Sequence, residues 1–216
     1  GGTPTGRGVV ASASYEARAF GVRSAMPAAA ALRLCPQLTI VRGRFGDYSE
    51  YSNRLYERIL ELAPIVERAS IDEMYFDLTG CEVLYHNDLP GFIKILQQIV
   101  WKEFHLPCTI SLASNKPVAK IAAQTVKPAG VIYVPHGTER LFLAPLSIDV
   151  IPRVGKKTSQ ILRKKGLDIV ADLQSISKEK LQRILGNHGL WIHDVANGLG
   201  PEELSTEHER NSIGNE

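Results

Sequence analysis

The chain has 216 residues, of which 44% are hydrophobic and 22% are charged, and its formal net charge is +2. This mixture excludes a disordered tail, a collagen and a coiled coil, and it is sufficient to bury a sizeable core. No apolar run reaches the roughly 18 residues that a membrane helix needs, and residues 1–7 lack the apolar stretch of a secretion signal. Cys35, Cys81 and Cys108 fit neither a zinc site nor a disulfide framework. The sequence therefore predicts a cytoplasmic protein with no membrane partner.

Hydrophobic periodicity predicts alternating strands and helices over the first 134 residues. The predicted elements are a strand over 8–14, a helical turn over 15–18, a helix between Pro27 and Pro36, a strand over 38–41, a helix from its N-cap Asp47 to Ala63, strands over 65–69 and 74–78, a helix over 91–104, a strand over 108–112, a helix over 115–126 and a strand over 131–134. From Thr138 onward, proline and glycine break the chain into short helices without a strand. This order predicts an α+β protein with an all-helical last part.

Two adjacent carboxylates, Asp72 and Glu73, lie in the turn between two predicted strands. At a hairpin tip both side chains can converge, and carboxylate oxygens are the ligands that Mg²⁺ prefers. Two ions held in this way could clamp the attacking and leaving oxygens of a phosphoryl transfer. A solvated acidic turn is the alternative interpretation, and spacing alone leaves both open.

Ser12, Tyr15 and Arg18 form a second group at the start of a predicted helical turn. Two hydroxyls and a guanidinium at this place suit a triphosphate. Lys127, which precedes a Pro-Ala-Gly loop, adds another cation. The alternatives are that the Tyr and the Arg cover apolar surface, and that the Lys complements a helix dipole.

Six basic residues and no acidic residue lie in the segment 151–167. Within it, Val154, Gly155, Lys156 and Lys157 form a tight turn that opens a predicted helix. Backbone amides at such a turn can hold a DNA phosphate without reading the base sequence. The pattern is typical of a helix-hairpin-helix, and a plain helical hairpin is the alternative.

These segments, taken together and in this order, resemble the Y-family of translesion DNA polymerases, closest to its DNA polymerase IV branch. The segments are 12–27 (SASYEARAFGVRSAMP), 34–38 (LCPQL), 70–79 (SIDEMYFDLT), 111–122 (SLASNKPVAKIA), 127–130 (KPAG) and 151–162 (IPRVGKKTSQIL). The resemblance covers nearly the whole chain.

The resemblance implies a role for each candidate residue. Asp72 would bind two catalytic Mg²⁺ ions, and Glu73 would hold the ion nearest the primer 3′-hydroxyl. The residues implied to contact the incoming triphosphate are Ser12, Tyr15, Arg18 and Lys127. The residues implied to rest on the DNA backbone are Val154, Gly155, Lys156 and Lys157.

The implied fold is a right-hand arrangement with a mixed-sheet palm, small α/β fingers and an all-helical thumb that contains a helix-hairpin-helix. The implied domains are fingers over 1–44, palm over 45–134, thumb over 135–200 and a linker over 201–216 towards a little finger. The family's first metal-binding aspartate and its aromatic steric gate are expected upstream of position 1, so we expect the 216 residues alone to be close to inactive. Arg153 stands where the family usually has a glycine.

The implied function is template-directed addition of dNTPs to a primer 3′ end by two-metal phosphoryl transfer. The expected partners are primer-template DNA, a dNTP and, through regions C-terminal to this sequence, a sliding clamp; the expected state is a monomer. One alternative is a non-catalytic DNA-binding module that uses only the thumb turn. A metal-dependent nuclease also uses paired carboxylates, but it leaves Tyr15 and Arg18 without a role.

Overall fold

The computed structural model describes residues 8–206. The chain divides into two compact units, Gly1–Ser52 and Asn53–Glu216. Residues 1–7 of the predicted fingers and residues 207–216 of the predicted linker lie outside the described residues. The predicted domain boundaries at 44, 134 and 200 stay predictions.

The first unit contains two short helices. Helix α1 (Tyr15–Ala19) begins at its N-cap Ser14, whose hydroxyl accepts a hydrogen bond from the amide of Ala17. Helix α2 (Ala28–Leu34) follows Pro27, as predicted. The two helices share a small buried core, which consists of Val10, Ala17, Val22, Ala31 and Cys35.

The strands predicted over 8–14 and 38–41 are wrong. Among the described residues of the first unit, β pairing is limited to a single bridge between Val9 and Pro27. The structure assigns no strand to residues 8–14 or 38–41, because the tertiary context of a short apolar run, and not its local pattern alone, decides whether it forms one.

Helix α3 (Phe45–Leu60) begins three residues earlier than the predicted N-cap Asp47 implies. Asp47 is therefore in the first turn of α3 and not at its N-cap. The carboxylate of Asp47 pairs with Arg44 at 3.1 Å. The predicted apolar stripe is buried at the C-terminal end, where Ile59 is 6% exposed, but Tyr48 near the start is 48% exposed.

Strands β1 (Ile65–Arg68) and β2 (Met74–Asp77) form the predicted antiparallel hairpin. Met74, Phe76 and Leu78 all contribute to one hydrophobic core, as their alternation predicts. The hairpin thereby fixes residues 69–73 as its turn.

Helix α4 (Leu89–Phe104) packs Phe92, Ile93 and Leu96 into the same core. Strand β3 (Ile110–Leu112), helix α5 (Lys116–Thr125) and strand β4 (Val131–Tyr133) follow. Strands β3 and β4 pair in parallel, with α5 as their crossover. In the described part of the chain, these strands and the hairpin are two separate two-stranded sheets.

The last part is helical, as predicted. Its elements are α6 (Glu139–Leu143), a 3₁₀ turn (Ile148–Val150), α7 (Lys156–Arg163), α8 (Val170–Ser175), α9 (Lys178–Leu185) and α10 (Asn187–Ala196). These helices share a buried core with Val118 and Ile121 of α5. No helix in the part of the chain that the structure describes is long and apolar enough to cross a membrane.

Candidate active site

The turn between β1 and β2 carries the two predicted carboxylates. Ser70 Oγ donates to Asp72 Oδ1 at 2.6 Å, and it accepts from the amides of Asp72 and Glu73 at 3.3 and 3.1 Å. The amide of Ala69 also donates to the carbonyl of Glu73 and closes the hairpin. Asp72 is exposed and Glu73 is half-buried. The serine hydroxyl therefore organises the backbone from which both carboxylates project.

Helix α5 places a lysine against this turn. Lys120 Nζ lies 2.7 Å from Glu73 Oε2. The hydrogen bond to Glu73 raises the pKa of Lys120 against an opposing effect of burial, and the charges of Glu73, Tyr75 and Asp72 raise it further. Both carboxylates are therefore within electrostatic reach of one ammonium group.

A second lysine of α5 attaches the helix to the hairpin. Lys116 Nζ lies 2.8 Å from Glu67 Oε2 and 5.9 Å from the centre of the Tyr75 ring. Glu67 is only 8% exposed, so its charge requires a close partner. Burial raises the pKa of Tyr75. These contacts fix the face of α5 that carries Lys120.

Asp72 and Glu73 fit a magnesium ion by the chemistry of their donor atoms. Mg²⁺ in nucleotide-processing sites is commonly bound by one or two carboxylates, while substrate phosphates and water fill the other positions. This pair already attracts a cation, the ammonium of Lys120. Within residues 8–206, no group of three or more His, Cys, Asp or Glu side chains could hold a metal ion. The pair therefore suits an ion that takes further ligands from outside these residues.

Tyr15 and Arg18 lie together on α1, as their spacing predicts. The guanidinium carbon of Arg18 is 5.1 Å from the centre of the Tyr15 ring, and Arg18 Nε donates to the carbonyl of Ala13 at 3.0 Å. Tyr15 is 49% exposed, and Ser12 is also exposed. The first unit thus presents a hydroxyl and a guanidinium side by side.

Lys127 is exposed and lies two residues beyond the end of α5. It precedes a cis peptide bond to Pro128. The loop then packs closely against the end of α5. A Cβ added to Gly130 would lie only 2.2 Å from the carbonyl oxygen of Val126. Lys120 and Lys127 therefore both depend on α5 for their positions.

The resemblance implies that the acidic pair, the α1 residues and Lys127 serve one nucleotide and its metal ions, and this stays a prediction. Tyr15 and Arg18 belong to the first unit, whereas Asp72, Glu73 and Lys127 belong to the second.

The predicted thumb turn leads into α7, whose N-cap is Gly155 with φ −87°. A Cβ added to Gly155 would meet no atom within 4 Å. Neither the backbone conformation nor internal packing therefore requires glycine at this position. Val154, Gly155 and Lys156 border an open pocket of about 510 Å³. The backbone here is accessible to a ligand from outside.

Arg153 precedes this turn in the left-handed region, with φ +67°. This conformation costs a residue with a side chain about 1 kcal/mol and costs glycine little. Its guanidinium carbon lies 5.2 Å from the centre of the Trp191 ring. The cation–π contact offsets part of the strain.

Part of the positive charge of the segment 151–167 is compensated by acidic residues just outside the segment. Arg163 pairs with Asp149 at 2.7 Å and with Asp168 at 2.9 Å, and both acids lie outside the helix. Hydrogen bonds from Ser159 and from Arg163 lower the pKa of Asp149. Lys156 and Lys157 are exposed at the start of α7. They are therefore better candidates than Arg163 for binding an external anion.

Two polar residues that contact the acidic pair were absent from the predicted set of site residues. Ser70 binds Asp72, and Lys120 binds Glu73. The spacing of Lys116 and Lys120, four residues apart in a predicted helix, is a signal for one basic face. The sequence does not indicate which acids this face meets.

Comparison with known proteins gives a consistent result. Residues 2–124 match the impB/mucB/samB family. A DNA polymerase IV of Dehalococcoides mccartyi is 37% identical over 216 residues, which are 100% of this chain and 55% of the relative. A DNA polymerase IV of Yersinia enterocolitica is 35% identical over 99% of this chain and 60% of the relative.

Solved structures share the fold. DinB from Sulfolobus solfataricus superposes with a TM-score of 0.83 at 31% identity, covering 91% of this chain and 58% of that one. The insertion ternary complex of Dbh DNA polymerase superposes with a TM-score of 0.82 at 30% identity, covering 92% of this chain and 58% of that one.

The chain belongs to the impB/mucB/samB family. The resemblance to Y-family polymerases, with the right-hand fold that it implies, is confirmed. The chain spans between 55% and 60% of the length of these curated relatives.

Proposed function

We propose that this chain forms the fingers, palm and thumb of a translesion DNA polymerase that adds dNTPs to a primer 3′ end. The observation that carries the proposal is the Asp72-Glu73 pair, exposed at Asp72 and half-buried at Glu73, at the tip of the β1–β2 hairpin in a chain whose relatives are named DNA polymerase IV. The proposed domains are fingers over 1–44, palm over 45–134, thumb over 135–200 and a linker over 201–216.

Asp72 and Glu73 are the proposed magnesium ligands. Bound Mg²⁺ would neutralise charge on the phosphates and on the attacking and leaving oxygens of the transfer. The chain's own contribution is to hold two carboxylates at one hairpin tip, with Ser70 fixing their backbone. Catalysis of phosphoryl transfer depends on such positioning and charge stabilisation more than on covalent chemistry by the protein.

The proposed triphosphate contacts are Ser12, Tyr15, Arg18 and Lys127. Arg18 supports this role because its guanidinium is oriented by the ring of Tyr15 and by the carbonyl of Ala13. A planar guanidinium with several donors suits phosphate oxygens. The exposed ammonium of Lys127 supplies a point charge for the same anion.

The proposed DNA contacts are Val154, Gly155, Lys156 and Lys157. The amides of Val154 and Gly155 already donate to the carbonyls of Ile151 and Arg153. The first-turn amides of Lys156 and Lys157, with the two lysine side chains, support sequence-independent binding because they recognise phosphate rather than base edges. Primer-template DNA and a dNTP are the partners that this reaction requires. Binding to a sliding clamp, the monomeric state and cytoplasmic localisation stay predictions.

The proposal is tested by incubating the native gene product with a primer-template, dNTPs and Mg²⁺. We expect the primer to lengthen by template-directed steps. Cleavage of the DNA without dNTPs would indicate a nuclease instead. Binding without extension or cleavage would indicate a non-catalytic DNA-binding module.

The thumb turn gives a separate expectation for Gly155→Ala. An alanine Cβ meets no atom here, and alanine is a poorer N-cap than glycine by less than about 1 kcal/mol, so the melting temperature should fall by no more than about 3 °C. Affinity for primer-template DNA should fall about tenfold, because the Cβ lies where a phosphate must approach the backbone.

Calorimetry and fluorescence anisotropy measure the two quantities, and Gly46→Ala serves as the control. A Cβ added to Gly46 would likewise meet no atom within 4 Å, but Gly46 lies in α3, away from the thumb turn in the sequence. Unchanged DNA affinity of Gly155→Ala would exclude the turn as a phosphate contact.

A further inference from the structure

The acidic turn already has a cation of its own. Lys120 Nζ lies 2.7 Å from Glu73 Oε2, and the two side chains are 45% and 41% exposed. Asp72 contributes to the electrostatic environment of the same ammonium. Lys120 therefore offsets negative charge that two adjacent carboxylates place at one hairpin tip.

The position of Lys120 is set by the packing of α5. One helical turn earlier, Lys116 binds the buried carboxylate of Glu67 and lies beside the ring of Tyr75. Residues four apart on a helix lie on the same face, so this anchor directs Lys120 to the tip of the hairpin. Lys120 is therefore held near the carboxylates more firmly than a lysine on a free surface helix.

We propose that Lys120 is a resident counter-cation of Asp72 and Glu73, and that a divalent metal ion must displace its ammonium from Glu73 to bind there. The inference rests on the proposed function only in taking these two carboxylates as metal ligands. The geometry supports it, because Lys120 Nζ donates a hydrogen bond to Glu73 Oε2, and a carboxylate oxygen of this kind is also the ligand that Mg²⁺ prefers. The exchange replaces one positive charge with a doubly positive one.

Removing the competing cation strengthens metal binding. Both side chains are partly exposed, so solvent screens the pair, and we expect Lys120→Gln to tighten Mn²⁺ binding about threefold at low salt. The difference should shrink as the ionic strength rises.

The experiment titrates Mn²⁺ into the native gene product and counts the free ion by electron paramagnetic resonance. Lys94→Gln is the matched control, because it removes the same charge from an exposed position on α4. In a Glu73→Gln background, Lys120→Gln should have a smaller effect, because the carboxylate for which the two cations compete is then a neutral amide and only the attraction of Asp72 for the ammonium remains. Equal or weaker binding by Lys120→Gln than by Lys94→Gln, or undetectable binding by both, overturns the inference.

A second measurement follows the lysine itself. The ¹⁵Nζ resonance of Lys120 is recorded during a titration with diamagnetic Mg²⁺. It should move towards the position of a lysine without an ion-pair partner as the metal binds. A resonance that stays fixed at saturating Mg²⁺ contradicts displacement.

The outcomes separate this inference from the proposed function. If the native gene product does not extend a primer but Lys120→Gln tightens Mn²⁺ binding, the proposed polymerase activity fails and the counter-cation stands. If it extends the primer but Lys120→Gln does not tighten binding, only the inference fails.

Discussion

Asp72→Asn in the native gene product is expected to slow single-turnover primer extension about a thousandfold, which is the scale of losing one charge-stabilising group at a reacting phosphoryl centre. The substitution keeps the shape of the side chain and its acceptor for the Ser70 hydroxyl but removes the negative charge. Affinity for primer-template DNA should change less than twofold, because the proposed DNA contacts lie on α7 and its preceding turn. Rapid-quench kinetics and fluorescence anisotropy measure the two effects.

Asp77→Asn is the matched control for this substitution. Asp77 is the last residue of strand β2, which follows the turn that carries Asp72. Its Oδ1 accepts from the amide of Thr79 at 2.8 Å, and it has no proposed role in metal binding. We expect its extension rate to stay within about threefold of the parent, because a neutral amide oxygen preserves that hydrogen bond. A similar loss of rate in both variants would mean that Asp72 acts through the fold rather than through a metal ion.

Gly189→Ala is expected to lower the stability of the protein far more than Gly155→Ala does. A Cβ at this position in α10 would lie 2.2 Å from the carbonyl oxygen of Leu181 in α9, so one backbone must move. Overpacking of this kind costs about 3 kcal/mol, whereas the higher helix propensity of alanine returns no more than about 1 kcal/mol. For a protein of this size, the melting temperature should fall by about 6 °C.

Circular dichroism during heating measures this effect, with Gly155→Ala as the control in the same unit. Both variants add one methyl group, but only the one at Gly189 meets a backbone atom. Equal melting temperatures for the two variants would show that α9 and α10 can separate at no cost.

The elements with a long apolar period or a strict alternation were predictable from the sequence. Helix α4 was predicted because Phe92, Leu96 and Val100 recur at helical spacing, and all three are buried. Strand β2 was predicted because Met74 and Phe76 alternate with polar neighbours. Residues 38–41 have a similar local pattern but are not assigned as a strand, because strand formation also depends on tertiary context.

The candidate site was predictable only in part. The acidic pair and the stacking of Arg18 on Tyr15 follow from local spacing. The contact of Lys120 with Glu73 joins residues 47 positions apart, and it depends on how α5 packs on the hairpin. The neutralisation of Arg163 likewise depends on the folding of Asp149 and Asp168 around α7. Patterns within a short stretch of sequence do not predict these ion pairs, because the partners meet only in the folded structure.

The central claim is that the acidic turn, the α1 residues and Lys127 serve one nucleotide and its metal ions. It is tested most directly by a crystal structure of the native gene product with primer-template DNA, Mg²⁺ and a non-reacting dNTP analogue. We expect Mg²⁺ on the carboxylates of Asp72 and Glu73, with the triphosphate bound by Arg18 and Lys127. A triphosphate bound elsewhere, with Arg18 and Lys127 remote from the metal, would contradict the assignment.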